Sequence, residues 1–276
     1  MRIVLLTAAT LLCFASNSLL TRAALAAGRL DWPAFTLIRL ATGTAMLALL
    51  VRLSHVPARS GGSWLGGAAL AGYAVAFTLA YTRIGAAVRA LLLFGAVQVT
   101  MIGAGLMKGE RPARIDWAGV ALAIAGLLIL TVPGVTAPDA TGALLMIFGG
   151  VCWGVYSLAG RGSRSPLVDT SRNFLRATFL GVLAVGLLVT GDRYTTSGVM
   201  LAATSGSIAS GLGYTLWYSV LPALAAWRAA VVQLLVPVLT ALLAAILLGE
   251  TITSRLLIAS ALIACGVWLT VWPAKH

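Results

Sequence analysis

The stretch that decides the fold lies near the end of the chain, where residues 236–250 read Val-Pro-Val-Leu-Thr-Ala-Leu-Leu-Ala-Ala-Ile-Leu-Leu-Gly-Glu. With the residues before it, this stretch forms an apolar segment at 228–248 that is closed by Gly249-Glu250. A helix needs roughly 20 such residues to cross the hydrocarbon of a bilayer. The segment therefore predicts a membrane-spanning helix.

Nine further segments of this kind lie between charge clusters and Pro or Gly residues. Numbered in chain order as spans 1–10, the predicted segments run approximately over residues 3–27, 33–52, 64–83, 86–107, 116–133, 141–160, 167–190, 198–218, 228–248 and 255–273. The composition agrees, because 60% of residues are apolar and 9% are charged, against about 25% charged in a soluble domain. The sequence predicts an all-α membrane protein embedded in a lipid bilayer, without a soluble domain.

Other interpretations of these features fit less well. Residues 1–27 resemble a signal peptide, but the segment is too long and carries Ser16, Asn17 and Ser18 at its centre. All three cysteines fall inside predicted spans, which argues against a disulfide framework or a metal site. The net charge of +12 could indicate nucleic-acid binding, but the basic residues lie at span ends. Membrane orientation explains them better, and we expect neither nucleic acid nor a cofactor.

The basic residues predict the orientation through the positive-inside rule. With the N-terminus in the cytoplasm, eleven fall inside and five outside. The inner set is Arg2, Arg52, Arg59, Lys108, Arg111, Arg114, Arg161, Arg164, Arg172, Arg228 and Lys275, and the outer set is Arg29, Arg83, Arg89, Arg193 and Arg255. Both termini are therefore predicted to be cytoplasmic.

A repeat becomes visible when the sequence is compared with itself. At an offset of 140, Gly109-Glu110 falls on Gly249-Glu250, and at 139 the first spans align, with Cys13 on Cys152 and Arg22 on Arg161. The predicted repeats are residues 1–136 and 137–276, each with five spans. Because five is odd, the second repeat enters the membrane from the opposite side, and inverted repeats are typical of carriers that work by alternating access.

The segment at 236–250 resembles the ninth span of EamA-type carriers of the drug/metabolite transporter superfamily. The first half carries a weaker copy that ends in Gly109-Glu110-Arg111-Pro112. The resemblance covers essentially the whole chain and implies ten spans in two inverted halves of five. Within the family, the chain is most similar to YddG-type amino-acid exporters of the bacterial inner membrane. One departure is Val97, which stands where the second half has Pro237.

Polar and aromatic side chains inside the spans predict a substrate path, because such groups usually face a bundle interior or a water-filled cavity. A central cavity is expected between spans 1, 3, 4, 6, 8 and 9. The candidate substrate-binding residues are Asn17, Tyr73, Phe77, Tyr81, Arg89, Gln98, Trp153, Tyr156, Tyr214 and Trp217. The alternative for the amides, and the favoured one for Gln233, is that they only tie helices together; the aromatic stripes can likewise be core packing.

Several other residues inside or beside the spans are predicted to have structural roles. Arg39 and Arg176, within spans 2 and 7, are expected to snorkel or to bind helix-end carbonyls rather than substrate. Glu110 and Glu250 are expected to pair with loop arginines such as Arg111 or Arg114. The Gly150–Gly154 pair in span 6 and the small-residue face of span 8 indicate close helix contacts, either static or sliding.

The function predicted from these features is export of small metabolites, most of all neutral or aromatic amino acids. Catalytic motifs are missing from the sequence, so an enzyme is not expected. The seven acids, Asp31, Glu110, Asp116, Asp139, Asp169, Asp192 and Glu250, all fall in loops or at span ends. Small multidrug exporters of the superfamily carry a glutamate in span 1, which this chain lacks. We therefore expect a facilitator; the alternatives are a proton-coupled drug exporter and a non-transporting scaffold, and the oligomeric state stays open.

Overall fold

The computed structural model describes residues 2–54, 61–132, 139–191 and 193–271. The predicted boundary between the repeats, at residues 136 and 137, lies outside these described residues, as does Asp192. The prediction of an all-α membrane protein is confirmed: nine helices of the described chain are long and apolar enough to cross a membrane. The tenth, span 8, is a composite helix over residues 196–220.

The observed spans agree closely with the predicted segments, and their ends differ by a few residues. The helices run over Arg2–Leu25, Trp32–Leu53, Trp64–Tyr81, Ala86–Met107, Arg114–Thr131, Ala140–Gly160, Pro166–Val185, residues 196–220, Ala226–Leu248 and Ser254–Val271. We keep the numbering of spans 1–10 for them. A short 3-10 turn, Gly186–Leu188, follows span 7.

The outer surface of the bundle is apolar, opposite to the arrangement in a water-soluble protein. Leu187, Met107, Val99 and Ile246 are between 75% and 102% exposed. Large apolar side chains of this kind are stable only against lipid. The polar side chains of the spans are, in contrast, mostly turned inward.

The repeated Gly-Glu pair ends two helices in the same way. Gly109 follows span 4 with φ of 84°, and Gly249 follows span 9 with φ of 68°. This left-handed conformation is readily adopted only by glycine, and it is the usual way to end a helix. It directs the chain away from each helix so that the next residue, Glu110 or Glu250, stands beside the end of the bundle.

Span 9 is broken in its first half. A helix over Ala226–Val232 ends, Gln233 and Leu234 form a turn, and the helix resumes over Leu235–Leu248. Pro237 explains the break, because proline has no N–H and its ring clashes with the carbonyl four residues earlier, which is that of Gln233. That carbonyl instead accepts the N–H of Val236 at 2.9 Å. Span 4, with Val97 at the equivalent place, is continuous.

Span 8 contains a π-helical segment, Ser205–Leu212, where it crosses span 2. Gly206 lies at the crossing, and a Cβ there would overlap the Arg39 carbonyl oxygen and the Thr42 hydroxyl. Thr42 also reaches across to the carbonyl of Ala203 at 3.3 Å. The π-helical turn and the glycine together allow the two backbones to come into direct contact.

The packing partners of the spans follow one pattern in both halves. Span 2 packs on span 7, span 5 on span 10 and span 4 on span 9, while span 3 packs on span 6 as span 1 packs on span 8. If each span is replaced by its counterpart in the other predicted repeat, so that spans 1–5 become spans 6–10 and the reverse, the set of contacts is unchanged. The pattern supports the inverted repeats, which stay a prediction.

The crossing of spans 2 and 8 generates a test of stability. We expect Gly206→Ala to lower the thermal unfolding midpoint in detergent, because overpacking against backbone atoms costs about 1–3 kcal/mol. Gly103→Ala in span 4 is the matched control, since a Cβ there meets nothing within 4 Å. Equal midpoints for the two variants would contradict the close contact at Gly206.

Candidate functional site

A cavity of about 260 Å³ opens at one end of the bundle, between spans 1, 3, 4, 5 and 9. Arg22, Tyr81 and Glu250 lie at this end, which we call the mouth. The side chains of Arg22 and Glu250 line the cavity and are each 43% exposed. The mouth therefore connects the cavity with the outside of the bundle.

A deeper extension of about 30 Å³ continues from the cavity toward the bundle centre and shares with it Ser18, Phe77, Leu93, Phe94 and Val236. It is bordered by spans 1, 3, 4, 6, 8 and 9. These are the six spans from which the sequence predicts a central path.

Aromatic side chains from four spans meet around this extension. Phe14 lies edge-on to Trp153, with ring centroids 5.1 Å apart, and to Tyr214 at 5.6 Å. Tyr73 stands 5.0 Å from Trp153 and 5.2 Å from Phe77. We call these five residues the aromatic cluster. Edge-to-face and tilted rings attract one another through their quadrupoles, so the cluster forms a stable wall.

Seven of the ten candidate residues border the cavity or its extension. These are Asn17, Tyr73, Phe77, Tyr81, Arg89, Trp153 and Tyr214. Asn17 is held there by a 2.7 Å hydrogen bond, in which its carbonyl oxygen accepts from Ser205 in the π-helical segment. Arg89 lies with its guanidinium 3.9 Å from the centre of the Tyr81 ring and donates to the carbonyl of Ile84. Substrate binding by these residues stays a prediction.

The other three candidates lie behind the wall. Gln98 donates to the carbonyl of Ala230 at 2.7 Å, beside the break in span 9. Tyr156 is fully buried and stacks on Trp153 with ring centroids 5.5 Å apart. Trp217 donates its indole N–H to Ser157 at 3.0 Å. In this conformation they support the wall residues rather than border the cavity.

Gln233 is a cavity residue that the sequence analysis assigned to helix packing alone. It stands in the turn of span 9, borders the deep extension, and accepts the indole N–H of Trp153 at 2.5 Å. Its amide N–H donates to the carbonyl of Ala229 at 3.0 Å. The sequence signal was Pro237, which places the helix break at Gln233.

Arg39 is a second residue whose position differs from expectation. It does not snorkel: it is 1% exposed, and it donates to Ser210 at 2.9 Å and to the hydroxyl of Tyr214 at 2.6 Å. Arg176, its counterpart in span 7, donates to the carbonyl of Gly61, in the loop before span 3, at 3.2 Å. The difference arises because the crossing of spans 2 and 8 encloses Arg39.

The opposite end of the bundle is held shut by Glu110. Its carboxylate pairs with Arg161 at 2.8 Å and accepts the first N–H of span 9, from Ala226, at 2.9 and 3.1 Å. Arg161 also donates to the carbonyl of Leu224 at 3.1 Å. We call this end, defined by Glu110, Arg161 and Ala226, the closed end. The prediction that Glu110 pairs with Arg111 or Arg114 is wrong, because the helix end directs Glu110 toward spans 6 and 9.

The mouth carries the corresponding pair. Glu250 forms a salt bridge with Arg22 at the end of span 1. Arg22 and Arg161 are equivalent in the predicted repeat, as are Glu250 and Glu110. Each glutamate thus pairs with an arginine of the other half of the chain. The pair at the mouth is the more exposed, at 43% for both side chains against 26% and 17% for Arg161 and Glu110.

Comparison with known proteins gives a family and two relatives. A sequence model of the EamA-like transporter family matches residues 140–272. An uncharacterized protein of Pseudomonas aeruginosa is 47% identical over 273 residues, which cover 99% of this chain and 95% of that protein. A protein of Salmonella typhimurium named probable amino-acid metabolite efflux pump is 28% identical over 202 residues, 68% of each chain.

A solved structure shares the fold. A crystal structure superimposes with a TM-score of 0.84, covering 100% of this chain and 99% of its own, at 20% sequence identity. At this level of identity the likeness concerns the fold alone.

The contact between Trp153 and Gln233 generates a test of the wall. We expect Gln233→Leu to lower the thermal unfolding midpoint, because a buried indole N–H left without its partner costs about 1–3 kcal/mol. The double variant Trp153→Phe/Gln233→Leu removes both partners of the hydrogen bond. Its unfolding midpoint should therefore fall by less than the sum of the decreases in the two single variants. Strictly additive losses would contradict the hydrogen bond.

Proposed function

This chain belongs to the EamA-like transporter family and is a membrane transporter, and on that premise we propose that it exports neutral or aromatic amino acids. In this proposal the substrate moves down its own gradient by alternating access. The relative named for amino-acid metabolite efflux supports the substrate class. Family membership sets aside the scaffold alternative.

One observation carries the proposal: the cavity is accessible from the mouth and blocked toward the closed end. Between the deep extension and the closed end stand Tyr156, Tyr218 and Trp227, which are at most 5% exposed. Beyond them lies the Glu110–Arg161 pair. A cavity that reaches the middle of the bundle from one side only is what one state of an alternating-access carrier requires.

The lining of the cavity suits a small metabolite. The cavity has about 260 Å³ and its extension about 30 Å³, which together lie at the lower limit of the roughly 300–1,000 Å³ of pockets for drug-sized ligands. Its wall combines aromatic rings with the amides of Asn17 and Gln233. Such a wall suits a molecule with an apolar side chain and a polar end.

In the proposed mechanism, the two salt bridges are the contacts that hold one end of the bundle closed in each state. In the described state, Glu110 closes one end by holding Arg161 and the N-terminus of span 9 together. A carboxylate at a helix N-terminus is favoured by the free N–H groups and the helix dipole. Within the described residues, the mouth has no such cap: Glu250 bonds to Arg22 and not to the N–H of Ala86, the first residue of span 4, although Ala86 and Glu250 border the same cavity.

Because the two ends are equivalent in the predicted repeat, the contacts of the opposite-facing state can be predicted from those of the closed end. Ala86 is the repeat counterpart of Ala226. In the opposite-facing state, Glu250 would accept the N–H of Ala86 while holding Arg22, as Glu110 now does with Ala226 and Arg161. The mouth would close as the closed end opens. Both ends use the same chemistry, so the two states can lie close in free energy.

The acids of the described residues support a facilitator. Asp31, Asp116 and Asp139 each accept a backbone N–H at a helix start, at 2.7 to 2.8 Å. Asp169 accepts the N–H of Gly62 at 2.8 Å. Glu250 is the acid that borders the cavity, and for that reason it is the candidate if protons are coupled.

The orientation of the transporter follows from the charge distribution. We place it in the bacterial inner membrane with both termini in the cytoplasm, as the positive-inside rule predicts. The mouth at Arg22 then faces the outside and the closed end faces the cytoplasm. The described state would be the one that releases an exported substrate.

Transport in proteoliposomes tests the proposed function. Vesicles loaded with single amino acids should exchange neutral or aromatic ones with external label, and cationic aromatic drugs should move more slowly. With matched substrate on both sides, a pH step should produce no accumulation. Accumulation that disappears in Glu250→Gln or Glu110→Gln would establish proton coupling instead, and absence of any amino-acid flux would refute the proposed substrate class.

The two glutamates should shift the conformational equilibrium in opposite directions. Ser18→Cys, in a background without the native cysteines, places a thiol in the cavity for labelling from the mouth by a charged maleimide. Glu110→Gln should slow labelling, since losing a charge-assisted bond of about 1.5 kcal/mol releases the closed end and shifts the equilibrium between the two states about tenfold away from the described state. Glu250→Gln should leave labelling equal or faster. A shift in the same direction for both variants would contradict the mechanism.

A further inference from the structure

The interior of the bundle holds a full positive charge on Arg39. A guanidinium stays protonated at any physiological pH, and this one is 1% exposed in the middle of span 2. Its two hydrogen-bond partners, Ser210 and Tyr214, are neutral side chains of span 8. Its charge is therefore not neutralised by them.

Among the described residues, no carboxylate pairs with this charge. The described acids stand at the ends of the bundle, each with a partner of its own: Asp31, Glu110, Asp116, Asp139, Asp169 and Glu250. The Nη1 atom of Arg39 has no hydrogen-bond partner within the described chain. An unpaired buried charge is destabilising, and charged groups inside membranes typically mark a ligand or ion pathway.

Arg39 lies directly behind the aromatic cluster. Its guanidinium carbon is 5.5 Å from the centre of the Tyr73 ring and 5.9 Å from that of Phe77. These rings and Tyr214 border the deep extension. The hydroxyl of Tyr214 accepts from Arg39 and lies beside the hydroxyl of Tyr73, so this hydroxyl pair keeps one O–H as a donor.

The path from the mouth to this point is electropositive. Arg22 and Arg89 border the cavity, and Glu250, which pairs with Arg22, is the acid beside them. Arg89 is bound by the Tyr81 ring and by backbone carbonyls. Two guanidinium groups, Arg89 at the cavity and Arg39 behind the aromatic cluster, are thus without a carboxylate partner among the described residues.

From this arrangement we infer that the deep extension binds a carboxylate of the substrate, with the hydroxyl pair of Tyr73 and Tyr214 as the donor and Arg39 as the charge behind it. The inference rests on the proposed transport function and names the group by which the substrate is recognised. Arg39 acts through the hydroxyl pair and is a positioning residue. Amines with the same side chain, which carry a net positive charge, are rejected.

The dimensions of the site agree with this assignment. The extension is much smaller than the cavity, about 30 against 260 Å³, so it accepts a small head group and not a ring. The remaining substrate occupies the wider cavity, where Phe77, Leu93 and Phe94 offer apolar contact. A neutral amino acid with its carboxylate inward and its side chain toward the mouth satisfies both parts.

The test compares acids with the amines that lack only the carboxylate. Proteoliposomes are assayed for uptake of L-phenylalanine against phenethylamine and of L-leucine against isopentylamine. The wild type should move each acid at least about tenfold faster than its amine. Arg39→Met should bring this ratio close to one, and Arg39→Lys should keep it. Arg176→Met is the matched control, since Arg176 binds the Gly61 carbonyl away from the cavity and its loss should leave the ratio unchanged.

The outcomes separate the inference from the proposed function. If the wild type moves no member of either pair, the proposed function and the inference both fail. If it moves acids and amines equally, or if folded Arg39→Met keeps the wild-type ratio, the inference is overturned and transport stands. Thermal unfolding in detergent reports folding; where Arg39→Met does not fold, Tyr214→Phe, which removes the hydroxyl that contacts Arg39, must lower the ratio in the same direction for the inference to hold.

Discussion

The structure depends on one constraint: inside a bilayer, a polar group has partners only within the bundle or at its ends. The apolar exterior, with residues such as Met107 and Val99 turned outward, leaves the polar side chains of the spans to one another. Asn17 meets Ser205, Trp153 meets Gln233, and Arg39 meets Tyr214. Each of these contacts joins two different spans, so polar side chains specify which helices meet and where.

The same constraint explains why charges gather at the two ends. A helix that ends at a left-handed glycine, Gly109 or Gly249, presents the following glutamate at the rim of the bundle. There it can satisfy an arginine of one neighbouring span and, at the closed end, the free N–H of another. An ion pair with both side chains 43% exposed, like that at the mouth, contributes only about 0–1 kcal/mol. The closed end is therefore the better held of the two in this state.

Two local irregularities distinguish the second half from the first. Pro237 breaks span 9 and frees Gln233 to border the cavity, whereas Val97 leaves span 4 intact. The π-helical segment of span 8 brings Gly206 against the backbone of span 2 and encloses Arg39. Irregular helix geometry of these kinds is frequent at functional sites, because it re-aims side chains without breaking the helix register elsewhere. The break in span 9 borders the deep extension of the cavity, and the π-helical segment contacts its lining through the hydrogen bond from Ser205 to Asn17.

The sequence by itself determined the all-α fold, the positions of the spans and the Gly-Glu helix ends. These features depend on local properties: the length of an apolar run and the conformation that only glycine readily takes. It also identified the spans that border the central path, since polar residues inside a span usually face the bundle interior or a water-filled cavity. Seven of the ten candidate residues lie at the cavity for this reason.

Only the tertiary structure decided which partners these residues have. Glu110 lies next to Arg111 in sequence but pairs with Arg161, Arg39 is enclosed rather than snorkelling, and Gln233 rather than Gln98 reaches the cavity. Each choice depends on how two helices are rotated and where they cross, which the pattern of a single helix does not fix. The break at Pro237 and the π-helical segment of span 8 set that rotation, and contacts between residues 80 and 175 positions apart follow from it.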